Sequence, residues 1–517
     1  MKKRRLASAL TLLVLLLIFT NTGRTLAAAS SVNVPLDHPI YSSLDRWGAQ
    51  GLVSGQLSSL RPVTRKEAGR QIAQVLQHCE QASLESAACR DAVYFSKSFA
   101  MEVAAASDPE ASHAWAFKPV DTARVSYAYI DGSFSQFNQD GIEMTRGHNA
   151  VIRTQSHATL WRYFSAYVEP AFIYNQYFGT EENTRSTLRL NKGYAKATAG
   201  PLELLVGRDA LWWGPGYHGT LLMTNNAHPF DMIKLSNPEP AVLPWWLGLL
   251  GPVQFNLIFS QLNDERSGRE LANPFLYGLR LNLKPHRFVE IGASHLVQFG
   301  GPGRRDMTIS EIFKTLYSND NHDREKVDSN QQVSVDIALT LPELSKYLKV
   351  VDAVKVYLEV GAEDSGYPPD RRAYVTGFAL YRLFGLDNTV LRAEYAIMSP
   401  YSVPGAWYDH AWYPMRYEGR VFGHHAGTDA EDIFLEWSQD FTKAGYKIGF
   451  DRERSGVQTR RESVQNKDQF FVELDYRFIE QLRVTGRYTF ENITNHRNAP
   501  GADQRNHYFG LEAVYMF

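Results

Sequence analysis

The sequence predicts an all-β transmembrane barrel of about eighteen antiparallel strands, preceded by a small N-terminal α-helical domain. Three observations carry that reading. The chain ends on an alternating strand, with Phe509, Leu511, Ala513, Tyr515 and Phe517 on one face and Gly510, Glu512, Val514 and Met516 on the other. It opens with the layout of a secretion signal. Between the two, one segment after another alternates apolar with charged residues at a period of two, while the mean hydropathy stays negative. That combination is expected when half of every strand faces a polar lumen.

The signal comes first, over residues 1–29. Lys2, Lys3, Arg4 and Arg5 form a basic start, Leu10 to Phe19 an apolar run, and Ala27-Ala28-Ala29 a small-residue cleavage site before Ser30. The apolar run is shorter than the roughly 20 residues a spanning helix requires, so cleavage is expected rather than anchoring. Its removal takes away five basic residues and no acidic one, shifting the formal net charge from −2 to −7. An acidic mature chain argues against nucleic acid as a partner.

Residues 30–118 are richer in Ala, Gln and Glu and lack strand alternation. Tyr41 to Trp47, followed by Gly48 and Gly51, reads as a short amphipathic helix. Thr64 with Glu67 forms a capping box that opens a second helix over Arg65 to Cys79, whose Ala68, Ile72, Val75, Leu76 and Cys79 share one face. A third helix is expected over Leu84 to Ala105. This domain belongs on the periplasmic side, as a plug. Cys79 and Cys89, the only 2 cysteines, are a disulfide candidate in an oxidising periplasm, with two buried thiols as the alternative.

The barrel is expected over 119–517. Val472, Leu474, Tyr476 and Phe478 alternate with Glu473, Asp475 and Arg477; Leu482, Val484, Gly486, Tyr488 and Phe490 repeat the pattern. Tyr277, Leu279, Leu281 and Leu283 do so against Arg280, Asn282 and Lys284. A soluble sandwich would share this periodicity; the signal and the terminal strand favour the membrane. Trp161, Tyr163, Tyr381 and Phe384 suit interfacial girdles. Strands are read near 122–132, 149–162, 164–176, 185–198, 201–208, 252–262, 275–284, 286–299, 329–341, 353–364, 371–383, 388–398, 431–440, 443–454, 468–478, 481–492 and 505–517. Bacterial single-chain barrels have an even number, so one more is expected, hidden between the fifth and the sixth. No later segment is a transmembrane helix: Ala241 to Ile258 is broken by Pro244, Gly248, Gly251 and Pro252.

The stretch between the fifth and sixth strands is unusual. Gly207-Arg208 leads into Trp212-Trp213-Gly214-Pro215-Gly216, followed by Asn225-Asn226, Pro229-Phe230-Asp231 and the later Gly251-Pro252-Val253-Gln254-Phe255. These motifs, with the opening helices, resemble the capsule-assembly family called Wzi, over roughly the whole mature chain and most strongly over about 200–300. The resemblance implies an eighteen-stranded barrel closed by a helical bundle on the periplasmic side. It also implies a non-enzymatic outer-membrane lectin that holds capsular polysaccharide at the cell surface. Exopolysaccharide could serve as the ligand instead. Outer-membrane lipid and, during biogenesis, the barrel-assembly machinery would be the other partners of a monomer without cofactor.

Glycan binding calls for flat aromatics and for amide or basic side chains. Trp212, Trp213, Tyr217, Trp245 and Trp246 supply the first, and Asn225, Asn226 and Arg208 the second. A tandem Trp beside Gly and Pro fits a packed loop plug equally well. A second candidate is Ser399 to Ala430, where Tyr401, Trp407, Tyr408, Trp412, Tyr413 and Tyr417 intersperse with His410, Arg416, Arg420, His424 and His425. Adjacent histidines rarely share one ion, so no metal is expected there. Residues 300–329 are a candidate lumen constriction. A diffusion porin, with an open lumen, is the alternative reading. An enzyme is not expected: there is no Gly-x-Ser-x-Gly elbow and no His-Glu-x-x-His helix. Replacing Trp407 and Trp412 by Ala is expected to loosen polysaccharide attachment without unfolding the barrel.

Overall fold

The computed structural model describes residues 29–82, 86–108, 115–177, 184–266, 268–304, 308, 310–312, 329–363, 371–399, 405–459 and 463–517. Residues 1–28 of the expected signal, and Tyr401, lie outside them.

The sheet is a closed antiparallel barrel of eighteen strands. In order these are β1 (Ala116–Asp131), β2 (Gly147–Leu160), β3 (Phe164–Tyr177), β4 (Thr184–Ala199), β5 (Leu202–Asp209), β6 (Phe230–Ser236), β7 (Pro252–Gln261), β8 (Phe275–His286) and β9 (Val289–Phe299). Then follow β10 (Ser329–Leu341), β11 (Ala353–Glu363), β12 (Arg372–Tyr381), β13 (Thr389–Met398), β14 (Ala430–Asp440), β15 (Ala444–Ser455), β16 (Gln465–Arg477), β17 (Leu482–Thr494) and β18 (Gln504–Met516). Each pairs with its neighbours in sequence, and β1 closes on β18, with Thr122 opposite Met516 and Ile130 opposite Tyr508. Closure leaves no sheet edge, which hydrocarbon requires. The strand missing from the sequence count is β6, in the stretch where one was expected. Ala241–Val242 adds a two-residue continuation that also pairs with β7.

Connections after even strands are mostly tight turns, such as 161–163 and 200–201, and those after odd strands are mostly long. The two ends of the barrel therefore differ, and Trp212, Trp213 and the 399–429 segment all belong to the long-loop end. Outward side chains form the apolar band: Phe509, Leu511, Tyr515 and Phe517 are exposed, as are Val472 and Leu474. Two patches of that band are covered. Leu281 lies beneath Leu243 and Leu247, while Tyr277 and Leu279 pack with Val297, Phe299 and Ile312. Ile312 of the candidate constriction thus lies on the outer wall and not in the lumen. Trp161, Tyr163 and Phe384 are exposed at the short-turn end, whereas Tyr381 turns inward onto Ala49.

Among the described residues, four helices fill the short-turn end: α1 (Ile40–Ala49), α2 (Arg65–Ala82), α3 (Ala87–Ser98) and α4 (Ala100–Ser107). The single helix expected over 84–105 is two, broken at Phe99, whose φ of −112° is not helical. Phe99 is buried with Ile40, Leu44, Trp47, Ile72, Val75 and Phe95. The Glu67 amide donates to Thr64 Oγ1 at 3.1 Å, but the Glu67 carboxylate turns to Arg70 and Gln71, so only half of the capping box forms. A disulfide joins Cys79 of α2 to Cys89 of α3.

Residues 29–64 thread the lumen and are held by its wall. Asn33 donates to Tyr194 and Asp209, and Lys196 donates to Ser31 and Asn33. The Ser58 and Ser59 amides donate to Glu290 at 3.0 and 2.9 Å. Arg124 and Arg153 meet Asp37 at 3.1 and 3.3 Å. Burial pushes the Asp37 carboxyl up, but these two guanidiniums hold it well below the usual carboxylate range. Arg46 of α1 pairs with Asp91 of α3 and Asp440 of the wall.

Arg280 of β8 is fully buried. It binds Asp336 of β10 through both guanidinium arms and donates to Ser59 O at 3.3 Å. Arg280→Ala leaves the Asp336 charge unpaired and is expected to cost about 3–5 kcal/mol, read as a lower urea midpoint of the refolded barrel. Arg280→Met combined with Asp336→Leu should recover most of that loss; equal losses would show that the ion pair is not what matters.

Candidate functional site

The segment between β5 and β6 leaves the long-loop end and turns back into the lumen. Trp212–Trp213 forms a two-residue ladder with Leu60–Arg61 of the N-terminal segment, and the Gly214 amide donates to Ser59 O at 2.9 Å. Chain entering from opposite ends therefore meets inside the barrel. Gly214 has a φ of +140°, and a Cβ there would lie 2.8 Å from Thr220 and 2.9 Å from Glu359, so the turn needs glycine.

Irregular chain in a lumen must have its amides satisfied, and here wall carboxylates do it. Glu394 of β13 accepts from the Tyr217 amide at 2.8 Å, the Gly219 amide at 2.9 Å and the Tyr357 hydroxyl at 2.6 Å. On β11, Glu359 accepts from the Leu221 amide at 3.1 Å and Glu363 from the Tyr408 amide at 2.8 Å. Where the acceptor is ionised, such bonds are about twice as strong as neutral ones. Around them Trp213, Leu221, Leu222, Met223, Trp407, Tyr408 and Phe422 form one apolar core.

The candidate glycan residues divide by burial. Trp212, Trp213, Trp407, Tyr408 and Tyr413 are buried; Trp212 Nε1 donates to Gly216 O at 3.1 Å, and Trp407 fills the space above Gly361. Tyr217 lies under the Arg392 guanidinium at 4.2 Å and donates to Glu436 at 3.3 Å. Burial and then Glu436 push its phenol up to about 12, so it remains a donor. Asn225 donates to Asn138 O at 3.0 Å and Asn226 to Val421 O at 3.1 Å, both cross-linking loops. Trp245 and Trp246 are exposed, but at the short-turn end after β6. Arg208 is taken by Asp231 at 2.9 Å.

A different subset stands at the rim of the long-loop end. Trp412 is half-buried, with the Arg304 guanidinium 4.2 Å from its ring centroid. His410 Nδ1 accepts from the Trp412 and Tyr413 amides at 3.3 and 3.0 Å, which shapes the turn that presents Trp412. Burial, then Arg371 and Arg304, lowers His410 to about 4, so at neutral pH the ring is the neutral acceptor these bonds require. Arg416 pairs with Glu270, and Arg420 with Glu143 at 2.7 Å. Glu143 and Glu270 escaped the sequence reading because each comes from another loop and no local pattern marks them, and Arg304, read there as part of a lumen constriction, stands instead over Trp412.

These loops and the barrel beneath them follow a known family pattern: the family described as capsule assembly protein Wzi matches residues 131–508. The chain belongs to the Wzi family. It is similar to Wzi of Escherichia coli, described as an outer membrane protein involved in group 1 capsule assembly and a carbohydrate-binding β-barrel. That likeness has a TM-score of 0.65 at 16% identity and covers 94% of this chain and 99% of the other. It is also 26% identical over 211 residues to an uncharacterized 55.8 kDa protein in the cps region of Klebsiella pneumoniae, a match spanning 40% of each chain.

In this Wzi-family barrel the lumen is occupied from both ends, unlike the open lumen of a diffusion porin. A cavity of about 470 Å³ remains between α1, α3 and the wall formed by β1, β2 and β14 to β18, lined by Asp37, Arg124, Arg153, Lys447, Glu473 and Arg487. Among the described residues, one group has metal-ligand character: His218, His425, Asp432 and Asp451.

Glu394→Ala orphans the Tyr217, His218 and Gly219 amides and the Tyr357 hydroxyl, each worth about 1–3 kcal/mol when left unsatisfied in a buried site. The 210–229 loop is then expected to become protease-sensitive, and conductance across a planar bilayer to rise above wild type. Unchanged protection and conductance would rule out the carboxylate as the loop's anchor.

Proposed function

We propose that the protein is a non-enzymatic outer-membrane lectin that attaches capsular or other surface polysaccharide at the cell surface. The observation that carries the reading is the outer rim, where Trp412, Arg416 and Arg420 stand on a plugged barrel of the Wzi capsule assembly family. The mature chain, released by cleavage after about residue 29, sits as a monomer with its short turns in the periplasm and its long loops outside. A half-buried indole offers one face for stacking on a sugar ring, and its neighbours offer both donors and acceptors. Arg416 and Arg420 are each paired with a glutamate, so this part of the surface is mixed in charge and suits a hydroxyl-rich polymer more than a polyanion. Contacts this shallow are individually weak. A polymer engaging many copies on one cell multiplies them by effective concentration.

The porin reading needs a continuous aqueous path, and the loop and N-terminal contacts in the lumen weigh against it. Binding of the detergent-folded protein to isolated surface polysaccharide, followed by tryptophan fluorescence, tests the lectin reading against an unrelated polysaccharide. Trp412→Ala is expected to weaken binding about tenfold, equivalent to about 1.4 kcal/mol, with the barrel intact. Trp407→Ala removes a buried indole instead and should cost about 3–5 kcal/mol of stability, so it reports on packing. Saturable binding that is indifferent to Trp412 would move the site off this rim; no binding would remove the lectin reading.

A further inference from the structure

His218, His425, Asp432 and Asp451 come from four separate places. His218 lies in the β5–β6 loop, His425 in the β13–β14 loop, Asp432 on β14 and Asp451 on β15. One potential ligand atom from each lies within 4.8 Å of all the others. His218 Nε2 is 3.4 Å from Asp451 Oδ2 and 3.7 Å from Asp432 Oδ2, and His425 Nε2 is 3.2 Å from Asp432 Oδ2. Around a tetrahedral ion with bonds of about 2.0–2.1 Å, neighbouring ligand atoms stand about 3.3 Å apart. The contacts seen here are close to the edges of such a tetrahedron.

The polar atoms are also unspent. His218 Nε2, both ring nitrogens of His425, Asp432 Oδ2 and both carboxylate oxygens of Asp451 are buried without a hydrogen-bond partner among the described residues. Asp432 is 2% and Asp451 1% exposed. Neither has a lysine or arginine within salt-bridge distance among the described residues. Lys467 of β16 is held by Glu453 at 2.5 Å, and Glu453 also reaches His425 at 3.3 Å. Two buried carboxylates without a lysine or arginine are costly, and a metal ion or a proton on this cluster must offset them. The imidazoles, by contrast, are held in place. Phe434 stacks on His218 and Phe137 on His425, each with centroids 3.9 Å apart.

We propose that these four side chains bind one divalent transition-metal ion, with Zn²⁺ the ion that two imidazoles and two carboxylates in a closed tetrahedral site fit best. Four protein ligands leave no open position, so the ion is structural. It ties two long loops to β14 and β15, and through Phe137 it braces the β1–β2 loop as well. This goes beyond glycan binding and does not depend on it.

The test uses the detergent-folded full-length protein, stripped with EDTA and then titrated with Zn²⁺ alone. Equimolar saturable uptake, a higher Tm on Zn²⁺ addition and the intense visible bands of tetrahedral Co²⁺ after cobalt substitution are expected. Asp451→Asn and His218→Gln should lose the uptake and the Tm shift while still showing heat-modifiable migration, the mark of a folded barrel. The cobalt spectrum of the unmutated protein decides the matter even where a variant fails to fold. Absence of uptake and of cobalt bands would overturn the proposal in favour of a proton shared between the two aspartates. Equal uptake by wild type and variants would place the ion elsewhere and overturn it too.

Discussion

An eighteen-stranded sheet closed on itself turns every second side chain into a lumen wider than those side chains can fill. That constraint governs the rest of the molecule. The wall must be polar inside, yet a polar wall covered by packed chain needs partners for each charge. Glu290, Glu359, Glu363 and Glu394 find theirs in the backbone amides of chain folded into the barrel. Arg280 and Asp336 find each other and Ser59. Wall and plug therefore specify one another: neither surface has its hydrogen bonds satisfied without the other.

The barrel itself was legible because period-two alternation is a local property. Val472 to Phe478 and Leu482 to Phe490 state their two faces within seven to nine residues, and the structure puts Val472 and Leu474 outside. β6 was harder, because its seven residues sit in a stretch dominated by Trp, Gly and Pro, where turn chemistry masks alternation. Alternation also cannot say which outward residues will be covered. Leu281 reads like any lipid-facing leucine, and only the return of 241–250 along the wall hides it. Tyr381 was assigned to the girdle by its place at a strand end, but a one-residue difference in phase points it inward.

The candidate site was legible in composition and not in geometry. Aromatic-rich loops announce either a binding surface or a packed interior, and the same residues serve both. Within 405–425 the structure sends Trp407, Tyr408 and Tyr413 inward and leaves Trp412 at the rim. The deciding contacts come from elsewhere in the chain: Gly361 beneath Trp407, Glu363 on the Tyr408 amide, Arg304 beside Trp412. The same holds for His425. Beside His424 it offers a poor metal pair, and only the fold brings His218, Asp432 and Asp451 to it.

A filled lumen does more than block passage. Holding a polymer by shallow contacts requires side chains that lose little freedom on binding, since each immobilised flexible side chain costs about 0.5–1.5 kcal/mol. The rim meets that requirement through the plug. Arg420 is fixed by Glu143 of the β1–β2 loop, Arg416 by Glu270 of the β7–β8 loop, and Trp412 by amides bonded to His410. Those loops are in turn anchored from below by Asn225, Asn226 and the carboxylates of β11 and β13. An open barrel would leave the same aromatics on loops without that support, and any ligand they met would have to order them. Occlusion of the lumen and order at the rim are thus two consequences of one arrangement, in which the interior stiffens the surface it supports.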